Sequence, residues 1–248
     1  MLRMYPIVGL WIAACRGPEE PSIVVEPAHG TAERARPQQL GPLERFEKAT
    51  TVHMPAHFAD VLEIHGAIVR GALGEAQAAA KDLLANRAEA TLADWAPYVF
   101  AMNDAATEVA RAGTLEAAGL AASELARTCG DCHLALGVRI APHESDPPAV
   151  DSEPDAIMRR HKWAFDRLLE GIVTPSERAW SRGVAAYVDL PPCSNDPSSE
   201  RDIAVIARVR ETARAAESGA RNAHTLVERA QAYGALLPTC ATCHDAGC

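Results

Sequence analysis

The sequence predicts an all-α protein made of two similar halves. Eight segments of helical length carry apolar residues, and none of them shows the strict alternation that is typical of strands. Glycine and proline fall between these segments, where they favour breaks in helices. Aromatic residues make up only 5% of the 248 residues, and alanine is abundant, so the helices are expected to be slim.

The first half is expected to contain four helices, at residues 55–70, 73–86, 92–111 and 115–136. Gly71, Gly74 and Gly113 fall at the breaks between them, where glycine can end a helix. Thr114 is a good N-cap for the fourth helix, and Glu116 in its first turn complements the helix dipole.

The second half is expected to repeat this plan, at residues 153–173, 176–188, 199–217 and 226–243. Thr225 and Glu228 have the spacing of a capping box at the start of the last helix. Pro238 departs from the repeat and is expected to kink that helix, because proline has no N–H to donate.

The first 14 residues are typical of an export signal of the lipoprotein type. Arg3 precedes a short apolar run at residues 7–14 that is too brief to span a bilayer. The run ends in Ile12-Ala13-Ala14-Cys15, which resembles the lipobox in which the cysteine is acylated. Ordinary cleavage after Ala14, or a misassigned start codon, are the alternatives.

Two proline-rich stretches divide the rest of the chain. Residues 15–42 have scattered charge and no apolar period, as expected of a flexible tether. Residues 141–152 form a second proline-rich linker that cannot continue a helix. The linkers leave two domains of about 100 residues each, 43–140 and 153–248, a usual domain size.

Each domain ends in the same five-residue pattern. The two motifs are Cys129-Gly130-Asp131-Cys132-His133 and Cys240-Ala241-Thr242-Cys243-His244. In Cys-x-x-Cys-His the two thiols add to the vinyl groups of one haem and the histidine ligates its iron. Residues three apart share a helix face, so both sulfurs reach one porphyrin edge. Two matches, each closing a helical segment, predict two covalent c-type haems with His133 and His244 as proximal ligands.

The position of the motifs indicates the architecture. In common small cytochromes c this motif opens the domain, whereas here only four residues follow the second motif. Haem attachment at the end of a fourth helix resembles the cytochrome c-prime family, the class II c-type cytochromes, and so does the segment at residues 64–71. The resemblance implies two tandem four-helix up-and-down bundles, each with a covalent haem at the C-terminal end of its fourth helix.

Up-and-down packing would place the start of each first helix beside the end of its fourth helix, on the distal side of the haem. Two apolar stripes start there with matching residues 104 positions apart. They are Met54, His57, Val61, Ile64 and Ile68, and then Met158, His161, Phe165, Leu168 and Ile172. The resemblance implies Met54 and Met158 as sixth ligands. If His57 and His161 were the sixth ligands instead, the iron would be bis-histidine. If neither the methionines nor these histidines bound it, the iron would be five-coordinate.

The function expected from these cofactors is electron transfer. The sequence shows no nucleophile–base constellation and no nucleotide-binding loop, so an enzyme is not expected and the chemistry is that of the haems. We expect an exported carrier on the periplasmic or cell-envelope side that is lipid-anchored through Cys15 and relays single electrons between redox proteins. A net charge of −9 makes nucleic-acid binding unfavourable and mildly favours basic partners.

Two alternative functions remain open at this stage. Five-coordinate iron would favour a protein that binds small gases such as nitric oxide or carbon monoxide. A haem peroxidase would need a distal acid–base group, and only His57 or His161 could supply it.

Two of the seven cysteines are left over once lipid and haem are assigned. Cys193 lies in the loop between the second and third helices of the second half, and Cys248 follows the last helix. Up-and-down packing brings these two positions to the same end, and an exported chain favours pairing. A Cys193–Cys248 disulfide would close a loop of about 55 residues and stabilise the fold by about 4 kcal/mol.

Thiol titration of the denatured, non-reduced mature protein tests this pairing. With haem and lipid on the other five cysteines, no free thiol is expected. Two free thiols per chain would show that Cys193 and Cys248 are unpaired surface residues.

Overall fold

The computed structural model describes residues 54–85, 95–150, 154–188 and 200–245. All of them belong to one compact unit, Leu40–Cys248, and their regular structure is entirely helical. The predicted all-α class is therefore confirmed. The predicted signal peptide and tether, with Cys15, Cys193 and Cys248, lie outside the described residues.

Eight helices are present in the described ranges, four in each half. They are α1 Met54–Val69, α2 Leu73–Ala85, α3 Ala96–Arg111, α4 Leu115–Ala135, α5 Pro154–Val173, α6 Glu177–Val188, α7 Glu200–Arg221 and α8 Leu226–Asp245. None of these helices is both long enough and apolar enough to cross a bilayer.

The helix starts that the sequence predicted most firmly are confirmed by their hydrogen bonds. The Thr114 hydroxyl accepts the Ala117 N–H at 3.2 Å. At the start of α8, the Thr225 hydroxyl accepts the Glu228 N–H at 3.2 Å, and the Glu228 carboxylate accepts the Thr225 N–H at 2.9 Å. These caps satisfy N–H groups that have no partner within the helix.

One helix end was predicted wrongly. The sequence predicted that α7 stops at Glu217, but it continues to Arg221. Ala216 and Ala220 are both buried, so the apolar face continues past Gly219. Glu217 and Arg221 also form an ion pair one turn apart. Burial and this pair outweigh the low helix propensity of a single glycine.

Consecutive helices contact one another within each half. In the first half α1 also contacts α4, and in the second half α5 also contacts α8. The halves meet mainly through α4 and α8, the two helices that end in the Cys-x-x-Cys-His motifs, with further contacts of α1 with α8 and of α4 with α5. Most of the buried apolar residues of both halves accordingly form one continuous core, and Trp163, Ala164 and Ala186 form a second, small cluster.

The contact between α4 and α8 depends on two glycines. A Cβ at Gly119 would lie 2.7 Å from the Gly234 carbonyl oxygen and 3.1 Å from Pro238 Cδ. A Cβ at Gly234 would lie 2.5 Å from the Ser123 hydroxyl oxygen and 3.0 Å from the Gly119 carbonyl oxygen. The two shorter separations, 2.5 and 2.7 Å, are ones that real Cβ atoms essentially never show, so glycine lets the two backbones approach this closely.

The same contacts show that α4 and α8 run antiparallel, because Gly119 faces Pro238 while Ser123 faces Gly234. The two motifs therefore lie toward opposite ends of the molecule. At a rise of 1.5 Å per residue, Cys129 and Cys240 are about 18 Å apart along the helix axes.

The described part of the proline-rich linker, residues 141–150, is non-helical, as expected, and it packs along α5 and α6. The Trp163 indole donates to the Ser145 hydroxyl at 3.0 Å, and Arg182 donates to the Ser145 carbonyl at 2.7 Å. The Glu170 carboxylate accepts the His143 N–H at 2.6 Å. These bonds fix the course of the linker before α5 begins.

Replacing Gly119 by alanine tests the close approach of α4 and α8. An alanine inside a helix normally stabilises it, but here the methyl group would overlap α8, so the free energy of unfolding should fall by about 1–3 kcal/mol. Gly74→Ala is the matched control, since a Cβ at Gly74 meets nothing within 4 Å, and it should be neutral or stabilising by about 0.4–1 kcal/mol. Urea unfolding measures the free energy of unfolding of both variants. Equal effects in the two would contradict the close approach of α4 and α8 at Gly119.

Candidate haem attachment sites

The first motif occupies the last two turns of α4. Cys129 and Cys132 are partly buried, and no disulfide joins the cysteines of either motif. Burial, followed by the nearby Cys132, raises the pKa of the Cys129 thiol to about 11. Burial also raises the pKa of Cys132. Both thiols are therefore neutral at physiological pH, with their S–H groups intact.

His133 is held by the other half of the molecule. Its Nδ1 lies 2.7 Å from the carbonyl oxygen of Val173, at the end of α5. A carbonyl oxygen can only accept, so Nδ1 carries the proton and Nε2 is the nitrogen left for a metal. Histidine ligands in proteins are commonly oriented in this way, by an N–H donated to a carbonyl. The donor set of the first motif therefore fits a c-type haem.

The second motif occupies the last turns of α8, beside the end of α6. Burial, and secondarily Cys243, raises the pKa of the Cys240 thiol to about 12. The Tyr187 hydroxyl, in the last turn of α6, lies near Thr239 and Cys240. Burial raises the pKa of Tyr187 well above its ordinary value, and Cys240 adds to the effect. Tyr187 is thus a neutral phenol next to the second pair of thiols.

His57 and Met54 lie level with the first motif along the helix axes. His65 Nε2 lies 3.2 Å from the Ala122 carbonyl oxygen, which joins α1 to α4. Just past the end of α1, the chain reaches Ala241 of α8 at Gly71, and Ala241 is level with the start of α4. Helices α1 and α4 are therefore antiparallel, and residues equally far from the bond between them lie level. His57 is therefore level with Gly130 in the motif, and Met54 is level with its histidine. His57 is buried and Met54 is half-buried.

In the second half, the ring of Phe165 lies 5.8 Å from that of Tyr233 on α8. By the same reasoning Met158 is level with Cys240, although its side chain is 43% exposed. The His161 ring lies 5.7 Å from the Tyr187 ring, and burial lowers the pKa of His161 to about 4. His161, Tyr187 and Cys240 therefore form one cluster at the second motif.

The sequence analysis did not predict two of the groups that lie beside the motifs, the Tyr187 side chain and the Val173 carbonyl. Tyr187 could have been suspected, because an up-and-down order brings the last turn of α6 to the same end as the second motif. The Val173 carbonyl has no sequence signal, because every residue carries the same backbone group and only the packing of α5 on α4 selects this one.

His65 has a structural role between the halves. Its Nε2–H donates to the Ala122 carbonyl, and its Nδ1 accepts the Tyr233 hydroxyl at 3.4 Å. His65 is only 4% exposed, so it is a packing residue between helices.

Among the described residues, no three His, Cys, Asp or Glu side chains converge as a site for a bare metal ion. A haem iron takes four ligands from its porphyrin, so a protein needs to supply only one or two. His133 and His244 would each be the first of these.

Comparison with protein-family models, curated proteins and solved structures found no match. The resemblance to class II cytochromes therefore rests on the chain's own residues. These are the two motifs at the ends of α4 and α8 and the segment at residues 64–71 in α1.

Acid should destabilise the protein through His65. Burial lowers its pKa from 6.5 to about 4, so the unfolded chain binds the proton more tightly. This contribution to stability is complete above pH 6.5 and is lost as the pH falls toward 4, by about 3 kcal/mol. His65→Leu, which copies the buried Leu169 at the matching position of α5, should remove this part of the pH dependence.

The measurement is urea unfolding at pH 7.0, 5.5 and 4.5, with His224→Gln as the exposed control. His161, whose pKa burial also lowers to about 4, should keep its own acid dependence in every variant. If the free energy of unfolding depended on pH in the same way in His65→Leu and in the wild-type protein, the role of the buried His65 would be contradicted.

Proposed function

We propose that the chain is a dihaem c-type cytochrome that carries single electrons between redox proteins outside the cytoplasm. The observation that supports this most is the pair of Cys-x-x-Cys-His motifs at the ends of α4 and α8, with the first histidine already oriented by the Val173 carbonyl at 2.7 Å. The haem, once bound, supplies a one-electron Fe(III)/Fe(II) couple. The protein supplies attachment, orientation and a protected environment.

Attachment follows from the state of the thiols. Each S–H would add across one vinyl C=C of the haem, which would form a thioether and need no oxidant. Cys129 and Cys132 lie three residues apart on α4 and therefore share one face of it. Cys240 and Cys243 have the same spacing on α8. Each pair can therefore hold one haem.

We further propose that each half, residues 43–140 and 153–248, is a four-helix up-and-down bundle around its haem. The support is the order of helix contacts, in which each helix touches its neighbours in sequence and the first touches the fourth. Such packing gives a stiff, apolar surround, and a stiff site changes little when the iron changes oxidation state.

The sixth ligands are proposed to come from the starts of α1 and α5. His57 is buried and level with the first motif, and Met54 lies one turn before it. In the second half Met158 is level with Cys240, and His161 packs against Tyr187 at 5.7 Å. A ligand from either pair would give six-coordinate iron, which favours electron transfer over gas binding.

The partners are proposed to be redox proteins with a basic surface, because the chain carries a net charge of −9 and haem propionates would add to it. Nucleic acid is disfavoured by the same charge. A lipid on Cys15 would hold the protein at the membrane on the periplasmic or cell-envelope side.

Expression with a cytochrome c maturation system tests the proposal. Intact mass should show two covalent haems, and the oxidised spectrum should be low-spin for at least one of them. Cys129→Ala with Cys132→Ala should leave one haem, while Cys193→Ser, outside both motifs, should leave two. No haem in the wild-type chain would refute the proposal.

The spin state separates the alternatives. High-spin oxidised iron at both haems would favour a gas-binding protein or a peroxidase. Alanine at Met54, His57, Met158 and His161 in turn should convert one haem to high spin where the ligand is removed. If all four variants keep the wild-type spectrum, the sixth ligand lies elsewhere.

A further inference from the structure

The two halves end their first helices differently. Helix α1 ends at Val69, and Gly71, two residues further on, has a φ of +76° and donates its N–H to the Ile68 carbonyl at 3.0 Å. The matching position after α5, 104 residues on, is Pro175. Proline has no N–H to donate, so the Ile172 carbonyl lacks the donor that Ile68 has. The Gly171 carbonyl accepts the Ser176 N–H at 3.2 Å and Arg229 at 3.3 Å. Among the described residues, no backbone N–H bonds the Ile172 or Val173 carbonyl, so these two are open to another partner.

The first motif, on α4, packs against this C-terminal end of α5. Gly130 lies so close to the Ile172 carbonyl oxygen that an added Cβ would overlap it. His133, three residues on and on the same face of α4, donates its Nδ1–H to the Val173 carbonyl at 2.7 Å. Gly130 therefore provides the close approach that the His133 hydrogen bond requires.

The second motif has a different environment. Ala241 stands where the first motif has Gly130, and a Cβ at Gly71 would lie 3.4 Å from the Ala241 Cβ. That is an ordinary contact between side chains, without the backbone approach seen at Gly130. His244 is exposed, and no described residue hydrogen-bonds its ring.

We infer that the carbonyl end of α5 is a positioning group for His133 and lowers the reduction potential of the first haem. The inference rests on the proposed function. An Nδ1–H donated to a carbonyl makes the imidazole a more basic ligand, which stabilises Fe(III) over Fe(II). The negative end of the α5 dipole acts in the same direction. In this way the second half of the chain sets the reduction potential of the haem iron attached to the first half.

Potentiometric titration of a single-haem chain tests the inference. Full-length protein with Cys240→Ala and Cys243→Ala keeps only the first haem. Adding Gly130→Ala should push α4 away from α5, weaken the hydrogen bond and raise the potential. A change of about tenfold in the reduction equilibrium corresponds to about 59 mV for one electron.

Two controls separate this effect from general perturbation. Gly74→Ala, where a Cβ has open space, should leave the first potential unchanged. In the mirror chain, with Cys129→Ala and Cys132→Ala, Gly130→Ala should leave the potential of the second haem unchanged. An unaltered first-haem potential in Gly130→Ala, or equal shifts at both haems, would overturn the inference.

If the Gly130→Ala variant does not acquire covalent haem, a measurement on the haem-free wild-type chain tests the inference instead. Nitrogen-15 NMR reports which ring nitrogen of His133 carries the proton. Protonated Nδ1 supports the inference, and protonated Nε2 overturns it. Wild-type protein that never acquires haem, yet has protonated Nδ1 at His133, would refute the proposed function and leave the positioning contact established.

Discussion

The close approach of α4 and α8 is the contact on which the rest of the structure depends. Pro238 cannot donate a hydrogen bond to the Gly234 carbonyl, the usual partner four residues earlier. That carbonyl lies against Gly119, where any side chain would overlap it. A proline that would ordinarily weaken a helix therefore lies at the crossing, and the absence of a Cβ at Gly119 and Gly234 lets the halves pack into one core.

This crossing also decides where the two motifs lie. Because α4 and α8 are antiparallel, each motif reaches the end of the first helix of the opposite half. His133 reaches Val173 at the end of α5, and Ala241 reaches Gly71 at the end of α1. Each motif is therefore surrounded by residues of both halves, and the two motifs lie toward separate ends of the molecule.

Much of the fold was predictable because helix boundaries are set locally. The caps at Thr114 and Thr225 use residues within one turn, and both formed as their spacing predicted. The end of α7 was not predictable, since burial of Ala220 against the rest of the core extends the helix past Gly219. A local propensity of about 1 kcal/mol is outweighed by such packing.

The sequence by itself determined which residues make up the proposed haem sites, because the motif consists of residue types at a fixed short spacing on one helix. It also determined the all-α class, through segment length and the positions of glycine and proline. Only the tertiary structure decided which groups surround the motifs: the Val173 carbonyl at His133, Tyr187 at Cys240, and the Tyr233–His65 pair between the halves. These contacts join residues at least 40 positions apart, and they depend on how helices align after they pack, which no local pattern encodes.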